Sequence, residues 1–208
     1  MPSRDSALLL RPWVEADAPE LRRAIDDDVT HVKPWLSWSL EEPASLEKTR
    51  ARLATHIEQF RTGQAYRYAI TPADRPSTIL GGASLNTRVG PSAHDVGYWV
   101  RKSAARQGIA AAAVAALVVL AFDERGVHRL VIQCDTANTV SAAFARHLGF
   151  QYAGAVDARF PDGSPRPVLQ FEMVRERFRD QHEPALRQRA RRVCLVSSIE
   201  RAHPSPIP

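Results

Sequence analysis

No run in this chain is long and apolar enough to cross a bilayer, which takes about 20 residues. Its stretch without a polar side chain, Ile109 to Phe122, stops after fourteen residues at Asp123-Glu124-Arg125. Two cysteines, Cys134 and Cys194, sit far apart with no CxxC and no paired histidine spacing, so two reduced thiols and no metal are expected. The opening residues, Met1 to Trp13, hold three leucines but no small-residue cleavage site, so the chain is expected to stay in the cytoplasm without a signal peptide. GxGxxG, GxxxxGK[ST] and GxSxG are all absent, which removes the dinucleotide, nucleoside-triphosphate and serine-hydrolase classes.

Charge is also unevenly present. The formal net charge is +5, and Arg175 to Arg192 contributes +4 of it through seven arginines against Glu176, Asp180 and Glu183. The rest of the chain is nearly neutral, which argues against a nucleic-acid-binding domain and leaves RNA or acidic partners to the basic segment alone. The bland account of that segment is a solvated helix end.

The 208 residues suit one domain plus a tail. Ala7 to Trp13 has the pattern of an opening strand, and Asp17 to Asp27 has a proline at its start and Leu21 and Ile25 at helical spacing. Asp26 to Pro43 shows no period and is expected as a structured loop or broken helix. Ser45 to Gly63 is a helix with Ser45 at its N-cap and Leu46, Leu53, Ile57 and Phe60 on one side. Three strands follow at Tyr66 to Thr71, Ile79 to Thr87 and His94 to Val100, spaced for an antiparallel meander. After the apolar helix come a strand at His128 to Asp135, a short helix at Thr139 to Phe150, and strands at Phe150 to Ala158 and Pro167 to Val174. The order β-α-α-β-β-β-α-β-α-β-β predicts an α/β (α+β) fold with one mixed sheet flanked by helices. A turn or two of helix is allowed beyond Arg175, and Ala202 to Pro208 is expected to be disordered.

The apolar helix begins at Arg106-Gln107-Gly108. A helix start leaves about four backbone N–H groups without partners and carries roughly half a positive charge, so it suits an anion. Gly108 permits close approach of a phosphate, Arg106 adds a cation, and Ala110 to Ala113 keep the first turns slim. Close packing on a sheet would explain the alanines equally well.

Two segments resemble the GNAT acyltransferases. "GYWVRKSAARQGIAAAAV" is similar to their pyrophosphate-binding segment and "RLVIQCDTANTVSAAFARHLGF" to the second half of their acetyl-CoA site. With "RPWVEADAPEL" and "HVKPWLSW", the match resembles the Rim subgroup, which acetylates ribosomal-protein N-termini and related amines, and covers Leu8 to Val174. The resemblance implies a mostly antiparallel GNAT sheet, a GNAT domain over residues 1–178 and an Arg-rich extension, partly disordered, over 179–208. It implies acetyl-CoA as co-substrate, no metal, and a primary amine as acceptor, either a protein N-terminus or a small molecule. The family's (Gln/Arg)-x-x-Gly-x-(Gly/Ala) pattern falls on Ala105, Arg106, Gln107, Gly108, Ile109 and Ala110, with Ala105 departing from it. Because backbone N–H groups do most of the holding, that departure implies weaker affinity and a usable site.

The same resemblance implies direct attack of a neutral amine on the thioester. A backbone N–H near Trp99 or Val100 would hold the oxyanion. Asp95, on the face of Gly97 and Trp99, would take the amine's proton, unless it is a solvent-facing edge residue. Ser141 matches a Rim serine, against a hydroxyl bonded into its own helix. Asn138 would bond the pantetheine amide, against a capping role. The family's thiolate-protonating tyrosine is replaced by Ala145. Trp35 and Trp38 would line an acceptor pocket, with His31 and Glu41/Glu42 beside the amine, although core packing is the default for tryptophan. A homodimer through exposed sheet edges stays open. So does a different class, a catalytically weak or inactive acyl-CoA-binding module whose basic tail contacts RNA or a protein.

Overall fold

The computed structural model describes residues 7–35, 44–87, 89–90, 92–159 and 165–196. One eight-stranded sheet runs in the order β6-β7-β5-β4-β3-β2-β1-β8, made of β1 (Leu8–Pro12), β2 (Ala65–Pro72), β3 (Gly81–Asn86), β4 (Ala93–Val100), β5 (Arg129–Asp135), β6 (Gln151–Arg159), β7 (Pro165–Val174) and β8 (Val193–Leu195). Neighbours are antiparallel except β4–β5 and β1–β8. The strands β2, β3 and β4 pair antiparallel in sequence order, the meander that their spacing predicts.

Helices α1 (Ala18–Val32) and α2 (Leu46–Arg61) cover one face. On α1, Leu21, Ala24, Ile25 and Val32 recur at helical spacing and are buried. Leu21, Ala24 and Ile25 pack with Trp13, Leu53, Ala69 and Ile79 into a core of their own. Ser45 caps α2 by accepting from the Lys48 N–H at 3.1 Å. The start of α1 is fixed by the buried pair Arg11–Asp17, whose two hydrogen bonds measure 2.7 and 2.6 Å.

The other face carries α3 (Ile109–Glu124) and α4 (Thr139–His147). α3 is apolar around its whole circumference because it is covered twice, by the sheet beneath and by the C-terminal segment above. That segment comprises α5 (Arg175–Arg177), a π-helical turn (Phe178–His182), α6 (Glu183–Ala190) and β8. Phe178 and Leu186 are each 1% exposed in the same core as α3. Arg187 bonds Asp123 at the end of α3 at 2.8 Å.

One expectation needs correcting. Helix α1 continues to Val32, past Asp27 and into the segment expected to be a structured loop or broken helix, and Asp26, Asp27 and Asp28 bond Arg22, Arg101 and the Lys102 N–H. The segment after 178 is an integral layer as far as Val196, whose N–H donates to the Leu10 carbonyl at 2.8 Å. Residues 197–208, and Trp38 with Glu41 and Glu42, lie outside the described residues. Among the described residues, no helix is long and apolar enough to cross a membrane.

Candidate acetyl-transfer site

The sheet opens in its middle. β4 pairs with β3 along most of its length, Asn86↔Asp95 through Gly81↔Val100. With β5 it pairs only at Ala93↔Arg129, His94↔Leu130 and Asp95↔Val131. Past Asp95 the ladder between them ends, so residues 96–100 and 132–135 border a wedge. Peptide groups alternate sides along a strand. Arg101 donates its N–H to Leu80, and the Trp99 carbonyl would collide with a Cβ on Gly81, so the peptides of Asp95, Gly97 and Trp99 turn toward β3. Those of Tyr98 and Val100 therefore face the wedge, whereas the N–H of Trp99 does not.

A 3-10 turn, Lys102–Ala104, leads from β4 to α3. It is tied to α1 by the Lys102 N–H donating to Asp28 at 2.6 Å and by Arg101 pairing with Asp27 at 2.5 Å. Arg106 and Gly108 then take positive φ, +60° and +75°. The left-handed turn swings the chain into α3, and an arginine held there stores local strain of the kind found at ligand-binding sites. Gly108 stands at the N-cap and supplies no side-chain acceptor. The first N–H groups of α3 are thus presented without a protein cap, beside slim Ala110 and Ala111. This is a cradle that fits a pyrophosphate.

Each face of β4 carries a different chemistry. Asp95, Gly97 and Trp99 face α1 and α2. Trp99 packs in the core of that face, and a Cβ on Gly82 would lie 2.7 Å from its Nε1. Asp95 is 5% exposed, so the alternative of a solvent-facing edge carboxylate fails: β4 is an inner strand. At Gly97 a Cβ would lie only 2.7 Å from Ser84 Oγ, so the missing side chain is what lets that hydroxyl lie close over the strand; Ser84 Oγ accepts from Asn86 Nδ2 at 3.3 Å.

On the other face, the Tyr98 hydroxyl meets Ser141 Oγ at 2.8 Å, and its ring packs on Phe144 at 4.5 Å. Ser141 also lies close to the Cys134 thiol. Its hydroxyl is engaged across the wedge and not with its own helix. Burial raises the pKa of Tyr98 and of Cys134, so both stay protonated and neutral at neutral pH. Asn138 caps α4, its side chain accepting from the Ser141 N–H at 3.0 Å. Its carbonyl oxygen thereby performs the capping task. Ala145 is fully buried in the core and offers no proton.

The sequence profile of the acetyltransferase (GNAT) domain matches residues 7–151. The chain belongs to the GNAT acetyltransferase family. The ribosomal-protein-serine acetyltransferase of Escherichia coli (strain K12) is 30% identical to it over 129 residues, 60% of this chain and 70% of the relative. A structure of RimL, a ribosomal-protein alpha-N-acetyltransferase in complex with coenzyme A as a cysteine disulfide, is 26% identical with a TM-score of 0.71, covering 81% of this chain and 94% of RimL. Mycobacterium smegmatis RimJ, in complex with CoA-disulfide, shares the fold at 23% identity with a TM-score of 0.76, covering 92% of each chain. This GNAT protein is an acetyl-CoA-dependent N-acetyltransferase built on a mixed, mostly antiparallel sheet.

Within the GNAT frame, the structure gathers Asp95, Trp99, Val100 and the turn Arg106 to Ala110 on one continuous stretch, and binds Asn138 to Ser141 across from it. His31 lies in the last turn of α1 and Trp35 three residues past its end. Both are exposed at the end of α1, Trp35 at 40%, so the core-packing default for this tryptophan does not hold. Three residues at or beside the site escape a reading of the sequence. Tyr98 and Cys134 could have been found from strand alternation, which puts them on the face opposite Asp95. Arg192, whose Nη1 donates to the Gln107 carbonyl at 3.3 Å, gives no sequence signal because 85 residues separate the partners.

Proposed function

We propose that this acetyltransferase acts on the α-amino group of a protein N-terminus, with Asp95 accepting the amine's proton and the wedge between β4 and β5 receiving the thioester arm. The observation that carries this reading is the position of Asp95. It is the last residue of β4 paired to β5, is buried, and lies on the face of β4 that also carries Gly97 and Trp99 and turns toward α1 and α2. Bound across the start of α3, acetyl-CoA supplies an activated acyl thioester; every other task falls to the chain.

In this reading the uncapped N–H groups from Gly108 to Ala111 bind pyrophosphate, and Arg106 adds charge. The N–H groups of Tyr98 and Val100 are candidate oxyanion donors, since both face the opening. Tyr98 and Ser141 replace the proton donor that Ala145 cannot supply. The two hydroxyls form a neutral pair at the wedge, and either can donate within it. His31 and Trp35 meet the acceptor from the end of α1. A protein acceptor is favoured over a small amine by the naming of the Escherichia coli relative for a ribosomal-protein serine.

The rival account, a tail-driven binder without turnover, loses support from the arginines themselves. Arg175 donates to the Val127 carbonyl, Arg187 pairs with Asp123 and Glu183, Arg189 meets His147 and Arg192 bonds Gln107. Four of the seven are engaged with the fold. The test is thiol release from acetyl-CoA in the presence of peptides beginning with serine, the same peptides blocked at the N-terminus, polyamines and amino sugars. Release that needs a free peptide N-terminus and falls strongly in Asp95→Asn supports the proposal. Release only on small amines would replace the acceptor, and binding without release would restore the rival.

A further inference from the structure

The C-terminal segment delivers a cation to the turn that starts α3. After α6 the chain is fixed to β1 twice, by the Leu8 N–H donating to the Arg192 carbonyl at 2.7 Å and by the Val196 N–H donating to Leu10. The side chain of Arg192 leaves this anchored backbone and reaches across to the anion turn. Its Nη1 donates to the Gln107 carbonyl at 3.3 Å and lies 3.5 Å from the position a Cβ would take on Gly108. We infer that Arg192 is a pyrophosphate ligand for coenzyme A, supplying from the C-terminal segment the cationic contact that Ala105 cannot make. The inference rests on the reading of the α3 start as the acetyl-CoA turn.

An anionic oxygen at this turn would draw the guanidinium more strongly than the Gln107 carbonyl does. Charge-assisted bonds from a guanidinium to an anionic oxygen run to about 2.7–2.9 Å, so a 3.3 Å bond to a neutral carbonyl is long for this donor. A guanidinium has five N–H donors in a planar fork that matches phosphate oxygens two at a time. Among the described residues, Arg192 Nη1 is the neighbour that approaches the Cβ position of Gly108, at the start of α3. Arg106 is the turn's own cation, so phosphate would be approached from two directions, by a residue of the turn and by one 85 residues away in space-filling contact with it. The anchoring of β8 on β1 then has a task beyond covering α3: it sets where Arg192 begins.

A purely structural strap would show the same contacts, so the test separates the two. Calorimetric titrations of the intact protein with CoA and with dephospho-CoA, which keeps the pyrophosphate and lacks the 3′-phosphate, are compared for wild type, Arg192→Gln and Arg192→Lys. The melting midpoint of each variant is recorded alongside. Arg192→Gln is expected to weaken both ligands about 10-fold, the scale of one lost charge-assisted bond, and Arg192→Lys to recover part of it. The KM for acetyl-CoA should rise by a similar factor while that for acetylpantetheine, which has no phosphates, stays unchanged. Unaltered affinity in Arg192→Gln overturns the inference, as does an equal loss for acetylpantetheine, which marks a strap. A loss seen with CoA and absent with dephospho-CoA overturns the pyrophosphate assignment. Failure of the wild type to bind either ligand overturns the acetyl-CoA reading itself, an outcome distinct from the others.

Discussion

Replacing Phe178 with alanine should destabilise the protein by about 3–5 kcal/mol, the usual cost of removing a buried aromatic ring and leaving a cavity. Phe178 is 1% exposed, and its ring centre lies 5.0 Å from that of Phe122 on α3. A domain of this kind is stable by about 5–15 kcal/mol in total, so the substitution removes a large share of it. With a urea dependence of about 2 kcal/mol per molar, the unfolding midpoint should fall by about 1.5–2.5 M. Phe178→Leu, which fills much of the volume, should lose far less, and Arg179→Ala, on the exposed side of the same turn, close to nothing. Urea unfolding at fixed pH, followed by far-UV circular dichroism, reads all three. If Phe178→Ala leaves the midpoint within about 0.3 M of wild type, the C-terminal segment is a loose appendage and the account of why α3 is apolar on every side is wrong. Ending the chain at Arg175 would expose α3, which Phe178 and Leu186 cover, and so is not a neutral way to isolate a catalytic domain.

Other expectations concern single groups. Asp17→Ala leaves Arg11 buried without its bidentate partner and should cost about 3–5 kcal/mol in the same urea assay, whereas breaking the exposed Arg61–Glu58 pair should cost under about 1 kcal/mol. His56 has its pKa lowered to about 3, first by burial and then by Arg67 and Arg52. The unfolded chain therefore binds more protons below about pH 6.5, so stability is full above that value and falls as the pH drops toward 3, by at most about 1.4 kcal/mol per pH unit from this group. Unfolding midpoints of His56→Gln between pH 7 and 4 should show a shallower decline than wild type. Tyr98→Phe should leave CoA affinity unchanged and lower kcat about 10- to 100-fold, read by thiol release; unaltered kcat would remove Tyr98 from the proton path.

The order of strands and helices from Leu8 to Val174 is legible because each element carries a local signal: strand-forming runs bounded by Pro, Asp, Gly and Ser clusters in β2 to β4, helical spacing with a serine cap in α2, and an unbroken apolar run in α3. What the sequence hides depends on partners far away in it. The three aspartates at Asp26 to Asp28 interrupt the apolar pattern of α1, and the helix runs through them because Arg22, Arg101 and the Lys102 N–H take them up. β8 is three residues long, too short to show alternation, and exists because β1 leaves an edge open beside it. The all-round apolarity of α3 announces burial without naming its cover. At the site, Gly108 and Asp95 stand in local motifs and can be picked out by spacing. The Tyr98–Ser141 bond joins residues 43 apart, and that distance in sequence is why no pattern discloses it.

The central claim, that the start of α3 holds the phosphates of acetyl-CoA, is tested most directly by titrating CoA into the intact protein and into Gly108→Glu in a calorimeter, with melting curves confirming that both are folded. At Gly108 a glutamate would occupy a backbone at φ +75° and set a carboxylate against the bound anion. Saturable one-site binding by the wild type, lost in Gly108→Glu, is the predicted result. Absence of binding by the wild type, or equal affinity in the folded variant, would contradict it.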